Sequence, residues 1–190
     1  RMIDGEGWLR DGLRCKLTVI PCRGYTHRSR YRLPTAPSPN LPNMRAVYLY
    51  PSLCFFEGTP VSLGRGTDFP FQAYGHPELQ GDFSFTPRSN AGAKNPPLKD
   101  KLCHGVDLRT SPSDERIWER EVDLGYVIDC YRQLNLGEKF FTPMFDRLTG
   151  TDYVRQMILQ GAGADRIKAS WADDVERFKQ TRKPYLLYEE

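Results

Sequence analysis

The alternation of apolar and polar residues predicts a few short β-strands. Residues 82–86 alternate strictly, and residues 103–109 form a second short run that is typical of a strand. Residues 15–20 are short and rich in β-branched side chains, and the YLLY string at 185–188 is predicted to be a terminal strand. Residues 1–12 are predicted to end a helix, so with the strand that follows they would close an αβ unit begun upstream.

Apolar runs and helix-end residues predict four helices in the chain. A short buried helix is expected over residues 51–58, because proline opens helices and glycine closes them. A long helix is expected from the Ser111-Pro112 opening to Asn135, carrying one apolar stripe. Two further helices are expected, over residues 151–160 and after a capping Ser170.

Prolines and glycines divide these elements. Five prolines within residues 21–43 leave no room for regular structure and predict a stiff crossing between domains. Residues 59–77 form a long loop without periodicity, which in a compact domain is usually functional. Short strands among helices, without a strict βαβ rhythm, predict an α+β fold with a short mixed or antiparallel sheet.

Composition and charge narrow the classes of function. The chain of 190 residues is 39% apolar, 27% charged and 12% aromatic, which excludes a disordered or coiled-coil protein. No apolar run approaches the roughly 20 residues of a membrane span, and the start is not a signal peptide. Because the chain begins with Arg1, we expect it to be a piece of a longer protein. The net charge of +3 is too small to indicate nucleic acid binding.

The cysteines and the basic run over residues 23–32 both favour a structural role over a chemical one. The five cysteines form no CxxC pair and have no metal-like spacing to histidine, so buried packing is expected and no metal or organic cofactor is predicted. Residues 23–32 combine basic residues with tyrosines, as proteins that bind single-stranded nucleic acid do. No sequence motif of such proteins accompanies this run. A solvated linker is the better interpretation.

The strongest candidate chemistry lies in residues 57–68, EGTPVSLGRGTD. Glycines on both sides of Arg65 allow the backbone to turn and present a guanidinium, which suits a carboxylate or sugar oxygens. The alternative is a structural salt bridge from Arg65 to Glu57 or Asp68. Glu57 ends an apolar run, so it could be a tuned acid or base, grip hydroxyls or organise the loop. Glycoside hydrolysis would need a second carboxylate, and the spacing selects neither Asp68 nor Glu78.

Several strings together resemble one bacterial family. They are PSPNLPN at 37–43, LYPSLCFFEGTPVSLGRGTDFPFQAYGHP at 49–77, FTPRSNAG at 85–92 and the ending over residues 163–188. This combination resembles the exo-acting β-N-acetylmuramidases of the NamZ type, a family long described as a domain of unknown function, in versions from Bacteroides-like bacteria. The resemblance implies a glycoside hydrolase of cell wall recycling that releases N-acetylmuramic acid from non-reducing ends of peptidoglycan fragments.

The resemblance also implies an organisation. Residues 1–36 would end an N-terminal Rossmann-like domain and cross over, and residues 37–190 would form a C-terminal α+β domain that lines the ligand cleft. The presumed catalytic glutamates of the family lie upstream, in a motif this chain lacks, so no catalytic residue is assigned and the isolated chain is expected to be inactive. The implied partners are muramic acid saccharides and the upstream domain, in a periplasmic or secreted protein, without nucleic acid or a membrane span.

The resemblance can be transferred residue by residue only to the wall of the ligand cleft. Positions matching the family's motifs predict substrate contacts from polar side chains: Asn40, Glu57, Thr59, Arg65 and Thr67. His104 is a weaker candidate, since a lone histidine in a strand is more often structural. The rival interpretation is a non-catalytic carbohydrate-binding or structural module in which the loop only braces the fold.

Overall fold

The computed structural model describes residues 1–188, without the side chain of Arg120. The chain divides into two compact units, one formed by residues 33–167 and the other by residues 1–32 together with residues from 168 onward. Helices and one small antiparallel sheet make this an α+β protein, as the sequence predicts. The predicted domain boundary at residue 36 concerns a longer protein and stays a prediction.

The sheet of the larger unit has three strands, β1 (Ala73–His76), β2 (Phe83–Phe85) and β3 (Cys103–Asp107), in the order β1-β3-β2. The predicted strands within 82–86 and 103–109 are confirmed, whereas β1 falls in what the sequence predicted to be loop. Pairing with β3 brings two glycines opposite each other. A Cβ on Gly105 would lie 2.0 Å from the carbonyl oxygen of Tyr74, so this close approach requires glycine.

Helix α2 (Met44–Leu53) leads into a 3₁₀ turn over Cys54–Gly58. The predicted end at Gly58 is confirmed, but the predicted start at Pro51 is wrong, because Pro51 lies inside α2. The helix begins earlier because the Asn43 side chain accepts a hydrogen bond from the Ala46 N–H at 3.0 Å, which caps it. Asn43 therefore sets the start of α2, and Pro51 is accommodated within the helix.

The long helix predicted up to Asn135 is two helices, α3 (Asp114–Arg120) and α4 (Gly125–Leu134). They are separated at Glu121, whose φ of 58° cannot occur within a right-handed helix. The predicted cap is also shifted: Ser113, rather than Ser111, accepts from the Arg116 N–H. The predicted end is confirmed, with Asn135 in the left-handed conformation.

A 3₁₀ turn over Gly137–Phe140 and three shorter helices complete the larger unit: α5 (Pro143–Thr149), α6 (Tyr153–Leu159) and the start of α7 (Ala164–Ser170). The helix predicted over 151–160 is confirmed as α6, while α5 and α7 were not predicted. The core draws side chains from nearly every element, and its largest fully buried members are Phe56, Phe140, Phe145, Leu49, Leu53, Ile158 and Ile167.

The smaller unit contains α1 (Met2–Gly5), a 3₁₀ turn at Arg10–Gly12, α8 (Ala172–Arg182) and a 3₁₀ turn at Lys183–Tyr185. Its two ends of chain meet where the Tyr185 hydroxyl donates to Glu6 at 2.6 Å. The structure assigns no strand to residues 15–20 or to the described residues of its last segment. A strand needs a partner for its backbone hydrogen bonds, and none pairs with these segments within residues 1–188. Nor does Ser170 cap α8, which begins after Trp171.

Candidate functional site: the Arg65 pocket

Three of the predicted site residues line one pocket of about 280 Å³, which we call the Arg65 pocket. Its polar lining is Glu57, Thr59 and Arg65. Its apolar lining comes from both neighbouring and distant parts of the chain: Phe56, Val61, Leu63, Pro97 and Met144. The pocket therefore combines a carboxylate, a hydroxyl and a guanidinium with an apolar surround, as small-ligand sites do.

The 3₁₀ turn before the pocket is held tightly against α5. The Thr142 N–H donates to the carbonyl oxygen of Gly58 at 2.9 Å, and a Cβ on Gly58 would lie 2.4 Å from the Phe145 nitrogen. Only glycine permits this approach, which holds α5 close enough for Met144 to line the same pocket as Glu57. The glycine of the EGT string is thus needed for packing.

The Thr59 hydroxyl is engaged by its own loop. It donates to the carbonyl oxygen of Phe56 at 2.9 Å and accepts from the Val61 N–H at 3.2 Å. These two bonds fix the course of the chain as it leaves the 3₁₀ turn. Thr59 lines the pocket, but its present hydrogen bonds are structural.

The turn that carries Arg65 is built by Gly64, Gly66 and Thr67. Both glycines have positive φ, 69° and 84°, which agrees with the predicted turn around the arginine. The Thr67 hydroxyl donates to the Gly64 carbonyl oxygen at 2.6 Å and accepts from the Phe69 N–H at 3.2 Å, closing the turn. The GRGT string therefore presents one side chain, Arg65, from a backbone that is locked on both sides.

Arg65 contacts Glu57, the first of the two partners that the sequence allowed. Its Nη1 donates to Glu57 Oε1 at 3.0 Å, and the two side chains are 35% and 30% exposed. The Nε atom of Arg65 is buried, and within the described part of the chain no acceptor bonds it. A guanidinium held at one nitrogen and unsatisfied at another is suited to an acceptor brought by a ligand.

Glu57 also acts on its neighbours. Burial raises the pKa of the Cys54 thiol to about 11, and the Glu57 carboxylate adds to that rise. The same two causes, in the same order, raise the pKa of Tyr50. Burial and the Glu57 carboxylate therefore both disfavour a negative charge on Cys54 and on Tyr50.

The other predicted residues lie elsewhere in the larger unit. The Asn40 amide donates to the Gly92 carbonyl oxygen at 3.0 Å, and Nδ1 of His104 lies 2.8 Å from the Ser84 hydroxyl on the neighbouring strand. Neither side chain is part of the Arg65 pocket, and Thr67 lines a different pocket. Met144 and Pro97, which line the Arg65 pocket, carry no sequence signal, because only the fold brings them to it.

Comparison with known proteins identifies the family. The family model described as "Exo-beta-N-acetylmuramidase NamZ, C-terminal" matches residues 48–188. The chain is 30% identical to the peptidoglycan beta-N-acetylmuramidase NamZ of Bacillus subtilis, over 90% of this chain and 45% of the relative. The chain thus spans about half the length of the curated relative that it matches.

Two solved structures from Bacteroides fragilis, both of DUF1343 family proteins, have the same fold. One is 61% identical, with a TM-score of 0.96, and is matched over all of this chain and 54% of its own. The other is 16% identical, with a TM-score of 0.75 over 99% of this chain and 54% of its own, and it supports the fold alone. The chain belongs to the NamZ family and corresponds to its C-terminal domain, as the motifs indicated. Within residues 1–188, no helix is long and apolar enough to cross a membrane.

Proposed function

We propose that this chain is the substrate-cleft part of an exo-β-N-acetylmuramidase that acts on peptidoglycan fragments, and that the Arg65 pocket receives the muramic acid. Support comes from the match to the family's C-terminal domain and from a pocket that unites Glu57, Thr59 and Arg65. The main observation in favour of this proposal is that the buried Arg65 Nε has no acceptor within the described residues.

Muramic acid differs from glucosamine by a lactyl group that ends in a carboxylate. Arg65 is the only pocket-lining residue that carries a positive charge. A guanidinium can bind a carboxylate through two parallel N–H bonds, which are among the stronger recognition contacts. The Nη1 bond to Glu57 holds one end of the guanidinium, while the buried Nε has no acceptor within the described residues. Arg65 would therefore select muramic acid over glucosamine.

Glu57 would position this arginine rather than donate a proton. Its carboxylate already accepts from Arg65, which fixes the guanidinium, and its remaining lone pairs can accept from sugar hydroxyls. Asn40, Thr67 and His104 were also predicted to contact substrate. They remain part of the proposal only as more distant contacts, because they lie outside the Arg65 pocket.

Hydrolysis itself is assigned to an upstream Rossmann-like domain that would supply the catalytic carboxylates and the facing wall of the cleft. The family's relatives are about twice as long as the part matched here. The whole protein would be periplasmic or secreted, where peptidoglycan fragments arise. On this proposal the 190-residue chain alone is inactive, and hydrolysis of a chromogenic N-acetylmuramide by it would contradict the assignment.

The test of the pocket uses the full-length protein and two competitors of that hydrolysis, N-acetylmuramic acid and N-acetylglucosamine. In Arg65→Lys, inhibition by N-acetylmuramic acid should weaken about tenfold while inhibition by N-acetylglucosamine changes little, since lysine cannot make the bidentate pair. Equal losses for both sugars would contradict the proposal. Glu57→Gln keeps an oxygen that can accept from Arg65 and should preserve the preference for muramic acid.

The rival function is a module in which this loop only braces the fold. The Glu57–Arg65 pair and the bonds of Thr59 within its own loop are the observations that favour it. A bracing role predicts that Arg65→Lys lowers the melting temperature without changing the ratio of the two inhibition constants.

A further inference from the structure

The residues that follow Arg65 in the same turn line a second pocket, of about 560 Å³, which we call the Arg88 pocket. This volume is within the range of about 300–1,000 Å³ that is usual for small-ligand sites. Its charged and aromatic lining is Asp68, Phe69, Phe83, Arg88 and Arg109. The muramic acid proposal makes no use of these side chains.

The walls of the Arg88 pocket are fixed to each other by the backbone. The Arg88 N–H donates to the carbonyl oxygen of Gly66 at 2.8 Å. A Cβ on Gly66 would lie 2.5 Å from the Arg88 carbonyl oxygen and 2.6 Å from Pro96, so the two segments approach as closely as glycine allows. The FTPRSNAG segment is therefore held against the GRGT turn, and the pocket between them is pre-formed.

Arg109 forms a neutralised wall. Its guanidinium makes a two-pronged pair with Asp107, with nitrogen–oxygen distances of 2.9 and 2.7 Å, and this hydrogen bonding lowers the pKa of Asp107. The Arg109 guanidinium also lies 4.7 Å from the ring centroid of Phe69 and 5.1 Å from that of Phe83. The charge of Arg109 is therefore paired within the protein, and its side chain is held in place by Asp107 and the two rings.

The aromatic rings offer little open face to a sugar. Phe83 has Arg109 over its ring and stacks on Phe85 at a centroid distance of 5.8 Å, while Phe85 itself is only 6% exposed. Phe69 packs edge to face against both phenylalanines. A saccharide that needs a bare aromatic platform would not find one here.

Two charges in the pocket are uncommitted. Within residues 1–188, neither the Arg88 guanidinium nor the Asp68 carboxylate forms an ion pair, and both residues are exposed. Thr86 and Ser89, which also line the pocket, supply hydroxyl groups. The Asn90 side chain is engaged by the protein, because it donates to the Thr67 carbonyl oxygen and accepts from the Ala93 N–H. The pocket thus offers one unpaired cation, one unpaired anion and the hydroxyl groups of Thr86 and Ser89.

We propose that the Arg88 pocket binds a short peptide with a free carboxylate and a free ammonium group. Arg88 would bind the carboxylate and Asp68 the ammonium, since each charge lacks a protein partner and charge-assisted bonds are the stronger ones. The hydroxyl groups of Thr86 and Ser89 would bond the peptide backbone between them. Arg88 and Asp68 do not line the Arg65 pocket, so this proposal is independent of the muramic acid proposal.

The test is an amide nitrogen–proton NMR titration of the 190-residue chain with three probes. They are the dipeptide Ala-Ala with free termini, its acetylated and amidated form without charges, and glucuronic acid. We expect saturable shifts at Gly66, Ser84 and Asn90 with the free dipeptide, and dissociation constants at least tenfold higher for the other two probes. Saturation by glucuronic acid at the same concentration as the dipeptide, or no saturable shift at these amides, would overturn the proposal.

Variants assign the binding to the two charges. Arg88→Gln should raise the dissociation constant of the dipeptide about tenfold. Asp68→Asn should raise it about threefold, because a solvent-exposed ammonium–carboxylate pair is weaker than a bidentate guanidinium–carboxylate pair. Arg132→Gln, an exposed arginine on α4, is the matched control and should bind as the unaltered chain does. Unchanged binding in Arg88→Gln, with an amide spectrum that shows an intact fold, would contradict the assignment.

Discussion

The unit of residues 33–167 buries its apolar side chains, whereas the unit of residues 1–32 and 168–188 has no buried residue at all among those described. Phe56 in the first is fully buried, while Ile20 and Phe178 in the second are 88% and 50% exposed. The contrast does not come from composition, because both units contain aliphatic and aromatic residues in helical or strand-like patterns. It comes from what is available to pack against them.

Helices α4 and α8 make the same point at the level of one element. They have similar lengths, and α4 buries Val127, Ile128, Cys130 and Leu134. Helix α8 buries none of its residues, although the sequence gives it an apolar face with Val175 and Phe178. The local sequence pattern is similar in the two helices, and tertiary partners decide how much free energy each apolar face contributes.

The largest expected difference between the units is in a pair of identical truncations. Phe56→Ala should lower the free energy of unfolding by about 3–5 kcal/mol, because Phe56 is fully buried and stacks on Tyr74 at 5.0 Å. Phe178→Ala should cost about 1 kcal/mol or less, because that ring is half exposed. Urea unfolding of the 190-residue chain measures both, and equal losses would break the contrast.

A second pair compares glycines. Gly58→Ala should destabilise the larger unit by about 1–3 kcal/mol, because the added Cβ would lie 2.4 Å from a backbone nitrogen. Gly163→Ala is the control, since no atom lies within 4 Å of its added Cβ, and its effect should stay within about 0.5 kcal/mol. If the melting temperatures of the two variants agree, the packing of the 3₁₀ turn on α5 is looser than described.

Thiol reactivity compares the units without mutation. Cys15 and Cys22 are exposed, whereas Cys103 and Cys130 are buried and burial raises their pKa to about 11 and about 12. Because the thiolate is the reactive form, Ellman's reagent at pH 8 should modify the buried pair at least about tenfold more slowly. Peptide mass spectrometry assigns the sites. Fast labelling of Cys130 in the native protein would mean that α4 opens readily.

Much of the fold could be predicted where short-range chemistry decides it. Strands β2 and β3, the helix α6 and the helix ends at Gly58 and Asn135 follow from periodicity and from the conformational preferences of glycine and asparagine. The missed start of α2 and the shifted cap of α3 were local signals, whereas other failures depend on contacts distant in sequence. Strand β1 exists because β3 pairs with it, and the segment at 15–20 has strand-like residues without a strand to pair with.

The candidate site shows the same division. The turn around Arg65 and the Glu57 partner were both within reach of the sequence, since glycine freedom and opposite charges are local signals. The sequence could not separate Thr59, which lines the Arg65 pocket, from Asn40, which bonds the Gly92 loop instead. Met144 and Pro97 were beyond prediction, because only the packed fold brings them to the pocket.

The most direct test of the central claim is calorimetric binding of N-acetylmuramic acid and its lactyl amide to the full-length protein. The two ligands have nearly the same shape and differ by one negative charge. We predict that the acid binds about tenfold more tightly, and that Arg65→Gln removes most of this difference, because the pair with the guanidinium supplies it. An acid-to-amide ratio that is the same in Arg65→Gln and in the unaltered protein would contradict the account.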